Sequence, residues 1–289
     1  MKEHSNMFPI EKMSKVLHVS RSGYYRWLKS GPSNRTVENR ELIDEIRKIH
    51  TRSKQTYGSP RITAELNSEG RRASRPRVAR LMNKTGIRSK VTKKYRVTTT
   101  DSKHGFFIAP NLLDRDFKVG ETGKVWVSDI TYIPTAQGWL YLTTVIDLGD
   151  RKVIGWALST TMKAEDTTVA AWKMAVVNRP ITLDLIFHSD RGAQYACTEF
   201  TDLLEAYTTV KRSMSRKGNC WDNAVAESFF KSMKSEWTKW HLYHTFKQAE
   251  LSVFEYIETW YNVHRRHSAL NYMTPLQYER FLQTRNVAA

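Results

Sequence analysis

Three acids occupy positions where an acid is out of place. Asp129 interrupts the strand-like run "KVWVSDITYI", Asp190 follows the apolar "LDLIF" within "HSDRGAQY", and Glu227 lies in "GNCWDNAVAESFFKSMKSEW". If Val125, Val127, Asp129 and Thr131 share one strand face, the Asp129 carboxylate points with apolar neighbours and needs a partner: a basic side chain, a hydrogen-bond network or a metal ion. Asp190 sits just past a strand end, a usual place for functional groups in α/β sheets. Around Glu227, the residues Ala226, Phe229, Phe230, Met233 and Trp237 make an apolar stripe at helical spacing, with Asn223, Glu227, Lys231 and Lys234 on the adjacent face. Two strand acids and one helix acid in a basic protein are what two divalent cations need to bind a phosphodiester: hard oxygen ligands, positions left open for water and substrate, and metals roughly 3.5–4 Å apart.

Each residue also has a plainer reading. Asp190 could cap a turn or pair with Arg191, and Glu227 could form an exposed i, i+4 pair with Lys231 worth only a few tenths of a kcal/mol. Asp147, in "TTVIDLGDR", competes as third acid, but the turn and Arg151 that follow it favour a structural ion pair. Asp222 and Asn223 read as ordinary helix caps, with Asn223 also able to reach substrate. His188, beside a serine at a strand end, reads first as structural and only second as an acid or base.

The elements that must hold these acids follow from pattern. "KVWVSDITYI", "GWLYLTTVIDL" and "RKVIGWALS" are β-rich runs joined by short loops, an antiparallel meander. A helix over "KAEDTTVAAWKMAVVN", a strand in "ITLDLIFH", a helix over about 198–207, an apolar piece near Val210 and a helix from about Asn223 complete a mixed α/β domain. Ahead of it, "MSKVLHVSRSGYYRWLKSG" reads as helix-turn-helix with Ser20 as cap, followed by a helix over about 36–52. Two more helices then open at Ser59-Pro60 and at Ser74 or Arg75 before Pro76, the last stopping at Gly86. After it, Thr245 with Gln248 is a capping box, and Thr274, Pro275 and Gln277 repeat that signature. The expected domains are a basic helical region over 1–96, a linker over 97–122, a core over 123–240 and a helical C-terminal extension over 241–289.

Composition narrows the partner. The 289 residues carry 46 Lys and Arg against 29 Asp and Glu, a formal charge of +17 that favours a polyanion, with nucleic acid the first candidate. Arg71, Arg72, Arg75, Arg77 and Arg80 crowd one helix start, and Arg88, Lys90, Lys93, Lys94 and Arg96 follow. This density, with helix-turn-helix spacing, predicts contact with DNA phosphates. So does "YNVHRRHSALNY", with Arg265 and Arg266, and the helix face bearing Asn223, Lys231 and Lys234 is expected to border the same substrate. No apolar run approaches the ~20 residues that span a bilayer, and the first residues lack a signal-peptide core. Two cysteines, Cys197 and Cys220, cannot make a zinc knuckle or a disulfide framework and are expected to be free thiols in a reducing, cytoplasmic compartment.

The motifs "MSKVLHVSRSGYYRWL", "YGSPRITAEL", "RVARLMNKTGIRSK", "WVSDITYIPTAQGWLYLTTVIDL", "HSDRGAQY", "SMSRKGNCWDNAVAESFFKSMKSE" and "YIETWYNVHRRHSALNYMTP" resemble, in that order, the second reading-frame product of the third family of bacterial insertion sequences, a group of DDE transposases. The resemblance implies an RNase H-like core, a mixed five-stranded sheet flanked by helices as in retroviral integrases. It implies that Asp129, Asp190 and Glu227 are the metal-binding catalytic triad, with two magnesium ions for which manganese substitutes. It implies cleavage at the element's ends to free a 3′-OH that then attacks DNA, first beside the opposite end to give a circle and later in the target.

A homo-oligomer on terminal repeats and target DNA is expected, helped by an upstream reading-frame product or a fusion with it. The sequence departs from the family's pattern in having 36 residues between Asp190 and Glu227 where 35 are usual; the extra residue is placed near "VKRS", taken as a loop. A nuclease that hydrolyses without joining, and a DNA-binding regulator whose acids only close salt bridges, are the rival readings.

Overall fold

Short capped helices build the N-terminal part of the chain. The computed structural model describes residues 1–90, 104–181 and 184–287, and the chain divides into two units, residues 1–89 and 90–289. In the first, α1 (Ile10–Val16) and α2 (Arg21–Lys29) form the expected helix-turn-helix, and Ser20 Oγ caps α2 by accepting from Gly23 N at 3.0 Å. α3 (Asn34–Arg52) buries Leu42, Ile46 and Ile49 along one face. α4 (Ser59–Ser68) contributes Ile62 and Leu66, and α5 (Arg75–Lys84) contributes Val78, Leu81 and Met82. Pro60 and Pro76 lie in first turns, where no N–H is missed. The cap of α4 is Gly58 rather than the expected Ser59, whereas Ser74 precedes α5 as expected. Gly86, at φ +70°, supplies the left-handed turn after α5.

The second unit is a five-stranded sheet in the order β3-β2-β1-β4-β5. β1 (Val125–Thr135), β2 (Gly138–Asp147) and β3 (Val153–Ser159) are the antiparallel meander, while β4 (Leu185–Ser189) and β5 (Val210–Met214) run parallel to β1. This is the mixed sheet expected of an RNase H-like core. As the central strand, β1 is buried on both faces around Trp126, Val127 and Ser128 rather than on one apolar face.

Helices cover the sheet. A π-helical turn, Glu165–Val169, leads into α6 (Ala170–Asn178), which lies so close to β3 that a Cβ on Gly155 would collide with the backbone at Ala171 and Ala175. α7 (Ala193–Ala196) and α8 (Thr198–Glu205) pack Tyr195 and Phe200 with Trp172 and Phe187 in one aromatic core. α9 (Ala224–Glu236) buries Ala226, Phe229, Phe230 and Met233, the predicted stripe.

The C-terminal region is joined to the core. α10 (Phe246–Phe254) opens with the predicted capping box and runs into a π-helical segment, Glu255–Tyr261, where Asn262 then pairs with both the N–H and the carbonyl of Val153. α11 (Pro275–Val287) starts at the second predicted box, with Gln277 N donating to Thr274 Oγ1 and Thr274 N to Gln277 Oε1. No helix among the described residues is long and apolar enough to cross a membrane.

Two expectations need correction. "VKRS" is not a loop: Val210–Ser213 form most of β5, paired residue for residue with β4. The segment expected as linker is, in its described part 104–122, bound to the core. Leu112 N and Leu113 N donate to Ser213 Oγ, Ala109 and Leu113 are buried, and Asn111 Nδ2 donates to Asp222. Residues 97–103 lie outside the described part of the chain.

Candidate active site

Strand register brings the first two acids together. In the parallel β1–β4 ladder Val127 is level with His188, so Asp129 and Asp190 follow two residues further along each neighbouring strand, with strand axes about 4.8 Å apart. Asp129 Oδ1 accepts from Ile130 N at 2.9 Å, and Asp190 Oδ1 accepts from Gly192 N at 2.9 Å. Burial and then the charge of Asp190 hold the Asp129 carboxyl well above the ordinary carboxylate range; Glu227 pushes the same way and Lys234 opposes. Tyr195 lies beneath the pair. Its phenol is raised by burial and by Asp129 and Asp190, and its hydroxyl meets Ser128 Oγ at 2.7 Å.

Glu227 arrives on the first turn of α9. Asn223, 3% exposed, donates from Nδ2 to the carbonyl of Ser128 at 2.9 Å and so pins the start of α9 beside Asp129. Its Oδ1 is buried without a hydrogen-bond partner. Asn223 takes the N-cap position of α9 as expected, but its side chain makes no capping hydrogen bond, and Asp222 does not cap the helix. Glu227 stands at the exposed rim, its carboxyl raised by partial burial and by Asp190. It makes no ion pair with Lys231 among the described residues, so the plain i, i+4 reading does not account for it. Nor do the described residues contain a group of three or more His, Cys, Asp or Glu gathered closely enough to hold one metal ion. Asp129 and Asp190 are adjacent; Glu227 completes the electrostatic trio from further out.

The rival groups have structural partners. Asp147 is fully buried and accepts from Gly123 N, Trp126 Nε1, Gly149 N and Arg179 Nη1. The expected ion pair exists, but with Arg179 rather than Arg151. His188 is buried between Ser213 Oγ at 2.8 Å and Ser215 Oγ at 3.2 Å, and burial lowers its pKa to about 4, which leaves it neutral near pH 7 with both ring nitrogens engaged by serine hydroxyls. Arg191 turns from Asp190 and donates through Nε to the Ser215 carbonyl. Asp222, fully buried, accepts from Arg115 and Arg216, which hold its carboxyl well below the ordinary range.

The basic residues expected on DNA divide into three groups. Arg72, Arg75 and Arg80 are exposed with no ion-pair partner among the described residues, and Lys231 is exposed on α9. Arg71 pairs with Glu41 and Glu45, Arg77 binds Glu38 and Asn39, and Lys234 lies 4.8 Å over the Tyr132 ring. The expectation fails for Arg265 and Arg266. Arg265 is 4% exposed and locked bidentate onto Glu236 with both distances 2.7 Å, and Arg266, also buried, donates to the Tyr272 carbonyl. Asn223 is likewise too buried to lie on a DNA-facing surface. Lys93, Lys94 and Arg96 lie outside the described residues. The anchoring role of Asn223 and the two-arginine hub at Asp222 had no signal in the sequence beyond their place before the helix.

Comparison with known proteins gives this arrangement a context. Residues 121–220 and 208–275 each match a model of the integrase core domain, and residues 37–95 match an HTH-like domain. The chain is 39% identical over 263 residues to the insertion element IS600 uncharacterized 31 kDa protein of Shigella sonnei, covering 91% of this chain and 96% of that one. It is 37% identical over 281 residues to the transposase InsF for insertion sequence IS3A of Escherichia coli (strain K12), covering 96% of each. Among solved structures, the HTLV-2 integrase catalytic core domain in complex with magnesium is similar over 54% of this chain and 96% of that one, with TM-score 0.41 and 16% identity. With such relatives matched from end to end, and an integrase core spanning the sheet and α9, the chain belongs to the IS3 family of insertion-sequence transposases.

Proposed function

We propose that Asp129, Asp190 and Glu227 are the catalytic, metal-binding acids of this transposase, which cuts one strand at an element end and joins the freed 3′-OH to DNA. The observation that carries the reading is the juxtaposition of Asp129 on β1, Asp190 just past β4 and Glu227 on the first turn of α9, where burial and then the charge of Asp190 raise both Asp129 and Glu227 above the ordinary carboxylate range. Adjacent desolvated carboxylates that raise each other's proton affinity are a site a divalent cation relieves. The donor set fits a hard cation, since it is all oxygen, and one or two protein carboxylates per ion suit magnesium. Two magnesium ions, with manganese as substitute, would activate the attacking oxygen and stabilise the departing 3′ oxygen.

The chain's own residues prepare that chemistry. Asp129 and Asp190 give the ions a fixed floor, because each accepts from a backbone N–H of its own segment, Ile130 N on β1 and Gly192 N just past β4. Glu227 joins from the rim, where its side chain, not held by any partner among the described residues, can extend inward. Lys231, one turn on along α9, faces the phosphate, and the exposed Arg72, Arg75 and Arg80 bind DNA phosphates through the N-terminal unit. Lys93 and Lys94 add to this charge for DNA phosphates. Aligning two element ends calls for a multimer on DNA, with the upstream reading-frame product or a fusion with it supplying further DNA contacts. Where element DNA is, the chain is: the cytoplasmic nucleoid.

Joining distinguishes this activity from hydrolysis. Purified protein, given labelled pre-cleaved ends bearing a 3′-OH together with target DNA and magnesium, is expected to produce a joined or circular product; release of short fragments alone would overturn the reading.

A further inference from the structure

Trp221 is the exposed aromatic side chain nearest in sequence to the acid site. It is 68% exposed, although the two residues after it, Asp222 and Asn223, are 0% and 3% exposed. The turn that carries it, Cys220–Asn223, is held on both sides. Asp222 accepts from Asn111, Arg115 and Arg216, and Asn223 donates to Ser128, the neighbour of Asp129. An indole left in water on a turn this firmly fixed gains nothing from its own fold.

Its surroundings are those of a nucleic acid surface. The preceding loop presents exposed Lys217, without an ion-pair partner among the described residues, and Arg216, whose guanidinium is half exposed while it grips Asp222. Glu227 follows Trp221 by six positions, on the helix that the turn opens into. A flat aromatic face between a basic loop and a phosphodiester-cutting site is the combination that binds single-stranded nucleic acid: the backbone follows the charge and a base stacks on the ring. A base that frays from its partner at a DNA end loses its stacking, and an exposed indole offers it a new platform.

We propose that Trp221 is a stacking platform for a nucleobase unpaired at the DNA end next to the scissile phosphate. The inference rests on the assignment of the acid site, and its test is independent of cleavage. Duplexes carrying the end of the chain's own element, each with one 5-iodouracil at successive positions around the cut, are bound without divalent metal and irradiated. A single position is expected to crosslink, with the adduct mapping by mass spectrometry to Trp221. The crosslink persists in Asp129→Asn, so failure of the acid assignment leaves this readout intact.

Trp221→Ala and Trp221→Leu are expected to lose the crosslink and to bind fully paired ends on the order of tenfold more weakly, the loss of one base–ring stack. Trp221→Phe keeps most of both. The deficit is at least as large on ends already mismatched at the cut, where no unpairing cost offsets the stack, and melting temperatures are unchanged because the side chain is exposed. Absence of a Trp221 adduct at every position in the wild type, or binding of paired ends by both Trp221→Ala and Trp221→Leu as tight as wild type, overturns the proposal.

Discussion

Val127 is level with His188 in the parallel β1–β4 ladder, and Asp129 lies two residues further along β1 while Asp190 lies two residues further on, just past the end of β4. Two carboxylates so placed repel when both are ionised. Burial, and then this repulsion, keep the Asp129 proton on above the ordinary carboxylate range, so this carboxyl's own contribution to the metal-free fold is fully present below that range and is lost as pH rises through the raised value. Asp129→Asn should flatten this part of the pH–stability curve. Magnesium at neutral pH should raise the melting temperature of the wild type and leave that of the variant unmoved, as differential scanning calorimetry would show.

Asn223 ties the start of α9 to β1. Asn223→Ala removes a buried hydrogen bond to Ser128 and is expected to cost about 1–2 kcal/mol in denaturant unfolding. With the start of α9 released, Glu227 is less well placed, so cleavage should require several-fold more magnesium while the affinity for metal-free ends stays within about twofold.

The arginines separate into fold and surface by their partners. Arg265→Ala removes the bidentate ion pair that the 4%-exposed guanidinium makes with Glu236 and is expected to destabilise the protein by roughly 3 kcal/mol. Replacing Arg72, Arg75 and Arg80 together by Ala should leave stability within about 0.5 kcal/mol. The triple variant should weaken DNA binding and lower the slope of log affinity against log salt by up to about 3. Melting curves alongside a salt titration of end binding would distinguish the two classes.

His188 gives a second pH signature. Its folded pKa is about 4 against 6.5 for the free side chain, so the unfolded chain takes up the proton first as pH falls. Stability fully present above 6.5 is lost as pH drops towards 4, by up to roughly 3 kcal/mol. His188→Asn, which does not titrate, should show less loss over that window in urea denaturation at stepped pH.

Local chemistry was readable from the sequence where it conflicts with its surroundings. Asp129 within an apolar strand and Asp190 at a strand end stood out because an acid there needs a reason. The capping boxes at Thr245 and Thr274 were legible because both partners lie within one turn. Partners far along the chain were not. Arg265 sits in a basic cluster that reads as a phosphate contact, yet Glu236, 29 residues earlier, claims it. Asn223 meets a carbonyl 95 residues away. β5 was missed as a strand because Lys211 and Arg212 break its apolar pattern, and only pairing along β4 makes five residues a strand.

The most direct test of the acid assignment is strand transfer by Asp129→Asn. With labelled element ends, target DNA and magnesium, the wild type should yield joined product, whereas the variant should yield none above background while binding the ends with wild-type affinity. Joined product from Asp129→Asn at the wild-type rate would contradict the account.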